Sequence, residues 1–284
     1  MNKYWVTAIT IVFAAVGAEA ACPKYEVISA AAAAYKARLP IPPFQNLHNV
    51  IEAYCAQGKL AAEIGRTKGI QAGYKAGYTS LSTRPGTDVD RPLRGYLFQN
   101  MFLTDGAVVP ANFGARPRFS ADLIAVVKDH DIKSALTPLD ALAHISHFLP
   151  FIDLSDLMLE EGTPTDMLNL IATNIGSRWG VLGQPIAVEA TKEFLMQLET
   201  MTIVMEDQKG ELIGRGKGSD VLGHPINSIM WIVRDLEHFA QRVQPGDKLG
   251  VGAFFPAATP QAGLSIKVTY QGLPGDPTVS VRFE

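Results

Sequence analysis

The spacing of apolar residues along the chain changes near Gly69. Before that point, apolar residues recur at helical intervals over residues 26–38 and 46–65, and the prolines of residues 40–43 separate the two segments. After it, short apolar segments alternate with Gly, Pro, Asp and Thr, a pattern typical of strands joined by turns. We therefore predict a helical N-terminal lobe followed by a β-rich body.

The β-rich body is predicted to contain many short strands and few helices. Predicted strands lie near residues 71–79, 95–103, 117–127, 149–155, 179–188, 198–206, 211–216, 248–254, 263–270 and 278–283. Predicted helices lie at about 138–147, 165–175 and 219–241. Because neither a repeat nor a low-complexity linker interrupts the sequence, the pattern favours one α+β fold.

The first twenty residues have the pattern of a cleavable secretory signal peptide. Lys3 supplies a positive charge, a mostly apolar run extends over residues 4–17, and Ala18-Glu19-Ala20 places small residues where a signal peptidase cuts. The run is shorter than the roughly 20 residues that span a bilayer, so no stable membrane anchor is expected; an uncleaved, membrane-tethering helix is the alternative. We predict cleavage near Ala20-Ala21 and a periplasmic or secreted mature protein.

Composition and charge narrow the classes of partner. The chain is 47% apolar and 19% charged, with a net charge of −3, which is an ordinary balance for a globular protein. The sequence has no basic patch or run. It therefore gives no sign of nucleic acid or of an anionic membrane surface as a partner.

Two cysteines, Cys22 and Cys55, remain in the chain after the predicted cleavage. An oxidising compartment allows them to form a disulfide. Such a bond would fasten the new amino end to the helix that carries Cys55. Two partly buried free thiols are the alternative.

Polar side chains share one face of the predicted strand 117–127. Side chains alternate between the two faces of a strand, so Arg118, Ser120 and Asp122 point one way and the apolar residues between them point the other way. A site built on a sheet has this pattern, and so does the solvated face of an edge strand. The pattern alone leaves both interpretations open.

Two more charged residues lie in unusual surroundings. Asp153 belongs to the apolar run 148–154, where an acid is costly to bury unless it is paired or binds a cation. Lys75 lies between Gly73 and Gly77, whose missing side chains allow a ligand to approach. A lysine there can act as a general acid or base, or bind a carboxylate; a surface lysine on a hairpin is the alternative.

The histidines give weaker indications. His144 and His147 are three residues apart on a predicted helix, a spacing at which two imidazoles can share a metal. No third ligand lies at a suitable spacing, so a metal site is not expected there. His224 stands at a predicted helix start, where capping or packing is the expected role.

Ordered segments of the chain carry a family resemblance. Residues 73–80 (GYKAGYTS) resemble G-Y-K-V-G-L-T-S, residues 117–122 (PRFSAD) resemble P-R-V-E-A-E, and residues 222–231 (LGHPINSIMW) resemble L-G-H-P-A-N-A-V-A-W. Further similar segments lie at residues 52–57, 95–101, 150–156, 172–177, 181–183, 245–247 and 279–283. Together they resemble the 2-keto-4-pentenoate hydratase group of the fumarylacetoacetate hydrolase superfamily, over roughly residues 38–284.

The resemblance implies a fold and a chemistry. The implied fold is a fumarylacetoacetase-like β-rich body with a mixed, rolled sheet and flanking helices, assembled as a homo-oligomer. The expected units are a signal peptide at 1–20, a helical lobe at 21–68 and a hydratase-like domain at 69–284. In such enzymes three carboxylates hold one Mg²⁺ or Mn²⁺, a small 2-oxo acid binds the metal, and a lysine helps to move protons.

The resemblance also assigns roles to individual residues. The three metal positions fall on Ser120, Asp122 and Asp153, and the catalytic lysine falls on Lys75. Lys75 and Ser177 are the expected substrate contacts. Because Ser120 stands where the family has a glutamate, the site has two acids instead of three, and a weaker metal site is expected.

Two other segments depart from the family pattern. Gln99 and Asn100 occupy the positions of paired acids, so a proton-handling carboxylate is expected to be missing. Residues 252–255 (GAFF) replace a G-S-x-T segment, which removes a hydroxyl on the substrate side and adds bulk.

Three functions stay open on this basis. The first is an exported, metal-dependent hydro-lyase that hydrates a small 2-oxo acid with Lys75 in proton transfer. The second is a catalytically degenerate relative that binds small acids or acts as a scaffold. The third is another enzyme of the superfamily, such as a decarboxylase or an acylpyruvate hydrolase. Retention of Lys75, Asp122 and Asp153 favours an enzyme.

Overall fold

The computed structural model describes residues 22–84, 88–163 and 166–284, so the predicted signal peptide at 1–20 lies outside the described residues. The helices are α1 (Tyr25–Ala37), α2 (Val50–Lys68), α3 (Pro138–Ala143), α4 (Met167–Ala172), α5 (Lys192–Thr200) and α6 (Pro225–His238). The strands are β1 (Gln71–Gly77), β2 (Leu93–Phe98), β3 (Phe102–Thr104), β4 (Ala107–Val109), β5 (Pro117–Val127), β6 (Ile145–Asp156), β7 (Trp179–Leu182), β8 (Ile186–Ala187), β9 (Thr202–Asp207), β10 (Leu212–Lys217), β11 (Lys248–Gly250), β12 (Ser265–Gln271) and β13 (Thr278–Phe283). None of the described helices is long and apolar enough to cross a membrane.

The described strands form two sheets. The larger has the order β2-β1-β11-β5-β6-β7-β3, with β8 added beside β6. It is mixed, because β1 pairs with β11 and β3 pairs with β7 in parallel, whereas β5 and β6 are antiparallel. The smaller sheet has the order β10-β9-β12-β13-β4. The predicted α+β class, with a mixed sheet and flanking helices, is confirmed.

Strands β5 and β6 form the central ladder of the larger sheet. Their pairing runs from Pro117 opposite Asp156 to Val127 opposite Ile145. Phe119, Ala121 and Leu123 point into the apolar core, as alternation along β5 predicts. The opposite face of β5 is therefore free to present its polar side chains to a cavity.

The N-terminal helices share the core of the sheets. Asn49 caps α2 by accepting a hydrogen bond from the backbone N–H of Glu52 at 2.9 Å, and the helix ends before Gly69. Leu60 and Ile64 of α2 are buried in the same apolar cluster as the strand residues. The helical lobe thus packs on the body directly, and the boundary between 68 and 69 as a domain limit stays a prediction.

Cys22 and Cys55 form a disulfide. The bond joins the segment before α1 to α2 and closes a loop with a sequence separation of 33 residues. The sequence left open a disulfide or two free thiols, and the structure contains the disulfide.

Removing this disulfide is expected to destabilise the fold. A loop of this length corresponds to about 3–4 kcal/mol of unfolding free energy in the chain-entropy account. The double variant Cys22→Ser/Cys55→Ser should lose this amount in urea denaturation of the mature protein. Reduced wild type serves as the control and should lose about the same. Thiols that react with iodoacetamide in the native, unreduced protein would contradict the bond.

The structure corrects the predicted helix 138–147. Helix α3 ends at Ala143, because residues from Ile145 onward pair with β5. His144 therefore caps α3 and lies 2.7 Å from Asp129 through Nδ1, whereas His147 lies on β6. The two imidazoles do not share a helix face, which removes the geometric basis for a shared metal.

Two other predicted elements change their limits. The predicted strand 198–206 begins only at Thr202, because α5, capped by Thr191, occupies the residues before it. The predicted helix 219–241 starts at Pro225 in α6. His224 caps α6 by accepting a hydrogen bond from the N–H of Ile226 at 3.0 Å, which confirms its predicted capping role.

Candidate active site

A cavity of about 410 Å³ opens on the polar face of the larger sheet. Lys75 from β1, Ser120 and Asp122 from β5, and Asp153 from β6 all line it. The structure therefore brings together four of the five predicted site residues. Lys75, Asp122 and Asp153 are only 3%, 2% and 8% exposed, so these side chains are shielded from bulk water.

Strand register explains why these side chains meet. Ser120 lies directly opposite Asp153 in the β5–β6 ladder, and Asp122 is two residues further along the same face. Lys75 pairs with Gly250 of β11, the strand between β1 and β5. A Cβ atom at Gly250 would lie 2.9 Å from the Cβ of Lys75, so glycine leaves space for the lysine.

Lys75 and Asp153 form a buried ion pair. The Lys75 Nζ donates a hydrogen bond to Asp153 Oδ2 at 2.6 Å. The other oxygen, Asp153 Oδ1, is buried and has no hydrogen-bond partner in the described part of the chain. A buried acceptor without a donor is unfavourable, so this oxygen is ready to bind a ligand.

Asp122 is fixed by backbone donors. Its Oδ1 accepts hydrogen bonds from the N–H groups of Leu123 at 2.6 Å and Gly252 at 2.9 Å. Gly252 has φ of +101°, a backbone conformation that favours glycine. Burial, followed by the charge of Asp153, raises the pKa of Asp122 to about 7. Without a cation, the two acids compete for the single positive charge of Lys75.

The smaller sheet also holds the site in place. Tyr270 of β12 is fully buried and donates a hydrogen bond from its hydroxyl to the backbone carbonyl of Asp122. The same hydroxyl accepts one from the N–H of Phe151 on β6 at 3.1 Å. Tyr270 thus links β5 to β6 beside the acids.

The side chains present fit a divalent cation of the Mg²⁺ class. Asp153 offers an unpartnered carboxylate oxygen, Asp122 offers a second acid, and Ser120 offers a hydroxyl opposite Asp153. All are hard oxygen donors, which Mg²⁺ and Mn²⁺ accept. Across residues 22–84, 88–163 and 166–284, no group of three His, Cys, Asp or Glu side chains is arranged to hold a metal. The set therefore provides two charged ligands and one neutral ligand.

The predicted substrate contact Ser177 does not line the cavity. Its hydroxyl is buried beside Gly95 and has no partner among the described residues. Ile175, which has a left-handed backbone with φ of +41°, also lies over Gly95 and does line the cavity. The role of Ser177 in substrate binding therefore stays a prediction.

Two departures from the family pattern have less effect than the sequence suggests. Gln99 and Asn100 are exposed and lie outside the cavity, so their lack of charge removes no acid from it. Phe254 and Phe255 pack against Gly216 and Gly214 of β10, away from the cavity, which Ala253 lines instead. The added bulk does not enter the site.

Sequence reasoning missed the residues that support the acids. Gly250 makes room for Lys75, Gly252 donates to Asp122, and Tyr270 joins two strands from the other sheet. A glycine inside a predicted strand is a signal of close backbone approach, and both glycines lie in the predicted strand 248–254. For Tyr270 the sequence contains no such signal, because its contacts depend on how the two sheets pack.

Comparison with known proteins places this site in context. No family model matches the chain. The chain is 26% identical over 232 residues to 4-oxalocrotonate decarboxylase of Pseudomonas putida, which covers 82% of this chain and 84% of the relative. It is 27% identical over 202 residues to 2-keto-4-pentenoate hydratase 2 of Dechloromonas aromatica, which covers 71% and 74%.

A solved structure extends the similarity over nearly the whole chain. The 4-oxalocrotonate decarboxylase from Pseudomonas putida G7, complexed with magnesium and adipate, matches with a TM-score of 0.80 at 25% identity. The match covers 92% of this chain and 97% of that structure. Two more distant structures, at 12% and 14% identity, are similar to this chain in fold only.

The fold is that of the fumarylacetoacetate hydrolase superfamily. Within it, the curated homologues of the chain are 2-keto-4-pentenoate hydratases and 4-oxalocrotonate decarboxylases. The resemblance inferred from the ordered segments is confirmed. These homologues are enzymes, which supports an enzyme in this chain too.

Proposed function

We propose that this chain is an exported lyase that acts on a small 2-oxo acid, with a hydratase as the first choice of reaction. The names of the homologues describe hydratases and decarboxylases of small organic acids. The observation that carries the proposal is the meeting of Lys75, Asp122 and Asp153 in one buried cavity. These are residues to which the family resemblance gives chemical roles.

We infer that Ser120, Asp122 and Asp153 hold a divalent cation, Mg²⁺ or Mn²⁺. When bound, the cation supplies Lewis-acid stabilisation to the negative charge that develops on the oxygens of a 2-oxo acid. The magnesium in the similar decarboxylase structure supports this choice. Asp122 and Asp153 provide the charge, and Ser120 provides a neutral oxygen.

Lys75 is proposed to hold and move the proton. Its Nζ is buried and donates a hydrogen bond to Asp153, which holds the amine in a fixed orientation in the cavity. A positioned ammonium can donate a proton to substrate carbon and recover it from water. The apolar wall of the cavity around Ile175 and Leu170 limits the access of other water.

Export and assembly belong to the same proposal. The disulfide between Cys22 and Cys55 supports an oxidising, extracytoplasmic location, because such bonds are rare in the cytosol. The predicted signal peptide at 1–20 supports it independently. A homo-oligomer is proposed from the family resemblance.

A turnover assay tests the enzyme directly. Mature protein is incubated with 2-hydroxypenta-2,4-dienoate or with an unsaturated 2-oxo diacid, and loss of the conjugated absorbance is followed. We expect turnover that requires Mg²⁺ or Mn²⁺ and stops when EDTA removes the cation. Catalysis that persists in EDTA would exclude the cation from the mechanism, and no turnover of either acid would argue against an enzyme.

One observation favours a second candidate, a non-enzymatic small-acid-binding protein. Ser120 replaces the third acid, and the described residues contain no cluster of three acids, histidines or cysteines around a metal position. Such a protein would bind oxalate in the cavity without turning over any 2-oxo acid. The assay above, combined with oxalate binding, separates the two candidates.

A further inference from the structure

Tyr78 brings a phenol into the lining of the cavity. It follows the end of β1 at Gly77 and lines the cavity together with Lys75, which lies three residues before it. Continued alternation along β1 would turn Tyr78 toward the core with Tyr74. Its backbone is instead left-handed, with φ of +58°, which is uncommon for a side chain of this size. Residues held in such conformations are concentrated at functional sites.

The ring of Tyr78 is held by apolar contacts, whereas its hydroxyl is not engaged. Tyr78 packs against the apolar cluster that contains Leu170 and Ile175, and both of these residues line the cavity. The hydroxyl has no hydrogen-bond partner in the described part of the chain. Burial raises the pKa of Tyr78 to about 12, so the hydroxyl keeps its proton near neutral pH. It is therefore a neutral donor that can bind a ligand oxygen.

Two other hydroxyls of the same loop line the cavity but are engaged within the loop. The Ser82 hydroxyl lies 2.9 Å from the hydroxyl of Ser80, and the Thr83 hydroxyl donates to the carbonyl of Ser80 at 2.6 Å. Their hydrogen bonds fix the loop that follows Tyr78. Of these three lining residues, Tyr78 is the one whose hydroxyl is available to a ligand.

Ala253 lies on a segment that packs beside Tyr78. A Cβ atom at Gly252 would collide with the hydroxyl oxygen of Thr79, so the segments that carry Tyr78 and Ala253 are in close contact. Both residues line the cavity. Ala253 stands where the family pattern G-S-x-T has a serine, and Tyr78 stands where the pattern G-Y-K-V-G-L-T-S has a leucine. The cavity has thus lost one hydroxyl and gained another close by.

We propose that Tyr78 donates a hydrogen bond to an oxygen of the bound 2-oxo acid and supplies the hydroxyl that Ala253 lacks. The contact lies near the acids, because Gly252, the residue before Ala253, donates its N–H to Asp122. This inference rests on the proposed function, since the acids must hold the cation that binds the 2-oxo acid. A phenol that contacts the substrate alone contributes to acid binding and not to cation binding.

Calorimetric titration of oxalate in saturating Mn²⁺ tests this proposal. We expect Tyr78→Phe, which removes only the hydroxyl, to bind oxalate at least about tenfold more weakly than wild type, as for a hydrogen bond to a charged acceptor. Its affinity for Mn²⁺, measured without oxalate, should equal that of wild type. Tyr78→Phe/Ala253→Ser should recover part of the lost oxalate affinity, because a hydroxyl returns to the neighbouring segment.

Tyr74→Phe is the matched control. Tyr74 belongs to the same strand, β1, but is buried in the core and lies outside the cavity lining. Loss of its hydroxyl should leave the affinities for oxalate and Mn²⁺ unchanged. Thermal unfolding verifies that each variant is folded.

The contrary outcomes are distinct. If wild type binds oxalate and Tyr78→Phe binds it equally well, or if Tyr78→Phe loses Mn²⁺ affinity in parallel, the phenol contact is wrong and the proposed function survives. A loss of oxalate affinity in Tyr78→Phe without recovery in Tyr78→Phe/Ala253→Ser would keep the hydrogen bond and overturn the exchange of hydroxyls. If wild type with Mn²⁺ does not bind oxalate, the proposed function fails and this inference fails with it.

Discussion

Replacing Asp122 by Asn is expected to remove divalent-cation binding and turnover while making the metal-free protein more stable at pH 8. Asn keeps a carbonyl oxygen to accept the hydrogen bonds from Leu123 and Gly252. It removes a charge that burial and Asp153 make unfavourable, as the raised pKa of Asp122, about 7, indicates. We expect a gain on the order of 1–3 kcal/mol at pH 8.

The pH dependence follows from the sign of the pKa shift. The folded-state pKa of Asp122, about 7, lies above the ordinary value of 3.8 for an aspartate. Its contribution to stability is therefore complete below about pH 4 and is lost as the pH rises through 7. Metal-free wild type should unfold at a lower temperature at pH 8 than at pH 5.5 because of this group, and Asp122→Asn should show less of this difference.

Asp247→Asn is a matched control, which separates the effect of losing Asp122 from the effect of losing any partly buried acid. Asp247 is another partly buried acid whose pKa burial raises, and its Oδ2 accepts a hydrogen bond from the N–H of Gln244. It lies outside the cavity lining. Asp247→Asn should leave cation binding and turnover intact. Unchanged cation affinity in Asp122→Asn would show that Asp122 is not a ligand.

Replacing Lys75 by Met should have a different signature. Turnover is expected to fall by about 10²–10⁴-fold, the usual contribution of a positioned acid–base group. Divalent-cation affinity should rise, because the ammonium that now neutralises Asp153 at 2.6 Å is gone. The metal-free variant should lose about 3–5 kcal/mol of stability, because Asp153 becomes an unpaired buried charge, and added Mg²⁺ should restore much of it.

Lys248→Met is the control for Lys75. Lys248 lies on β11, where it faces Gly73 of β1 and packs over the ring of Phe102, outside the cavity lining. It should keep wild-type turnover and cation affinity. A Lys75→Met enzyme with near-normal turnover would remove the lysine from the mechanism.

Asp122→Asn and Lys75→Met together distinguish chemical roles of the cavity charges from purely structural ones. Loss of cation affinity in one and gain in the other cannot both result from general unfolding. A purely structural role for the Lys75–Asp153 pair predicts parallel losses of stability and affinity instead. The contrast therefore tests chemical roles more directly than activity alone.

Local sequence pattern predicts some elements well. Strand β5 has the predicted limits of 117–127, because its alternation is continuous and β6 pairs with its full length. The pattern does not predict helix α5, because the helix has only nine residues and ends two residues before β9 begins. The capping residue Thr191 is its main local signal, and a single threonine is weak evidence for a helix start. The predicted helix 138–147 extends too far, because residues from Ile145 onward pair with β5, and a contact between residues so distant in sequence leaves no local signal.

The charged residues of the candidate site were predictable from the sequence, whereas the nonlocal contacts around them were not. Alternation placed Ser120 and Asp122 on one face, the apolar run around Asp153 and the glycines beside Lys75 singled out those two residues, and the family resemblance gave all four a role. The structure brings them into one cavity. The exposed positions of Gln99 and Asn100 depend on where β2 ends relative to β1, and no local pattern encodes that register. The contacts of Tyr270 arise from the packing of one sheet on another and are equally nonlocal.

The proposed chemistry requires the acids of this cavity to hold a divalent cation that binds a 2-oxo acid. Calorimetric titration of oxalate into metal-stripped mature protein, repeated with Mg²⁺ or Mn²⁺ present, measures this requirement. We expect one oxalate to bind per chain, only when the cation is present, and we expect no oxalate to bind to Asp122→Asn. Oxalate that binds equally with and without the cation, or fails to bind in both cases, would contradict it.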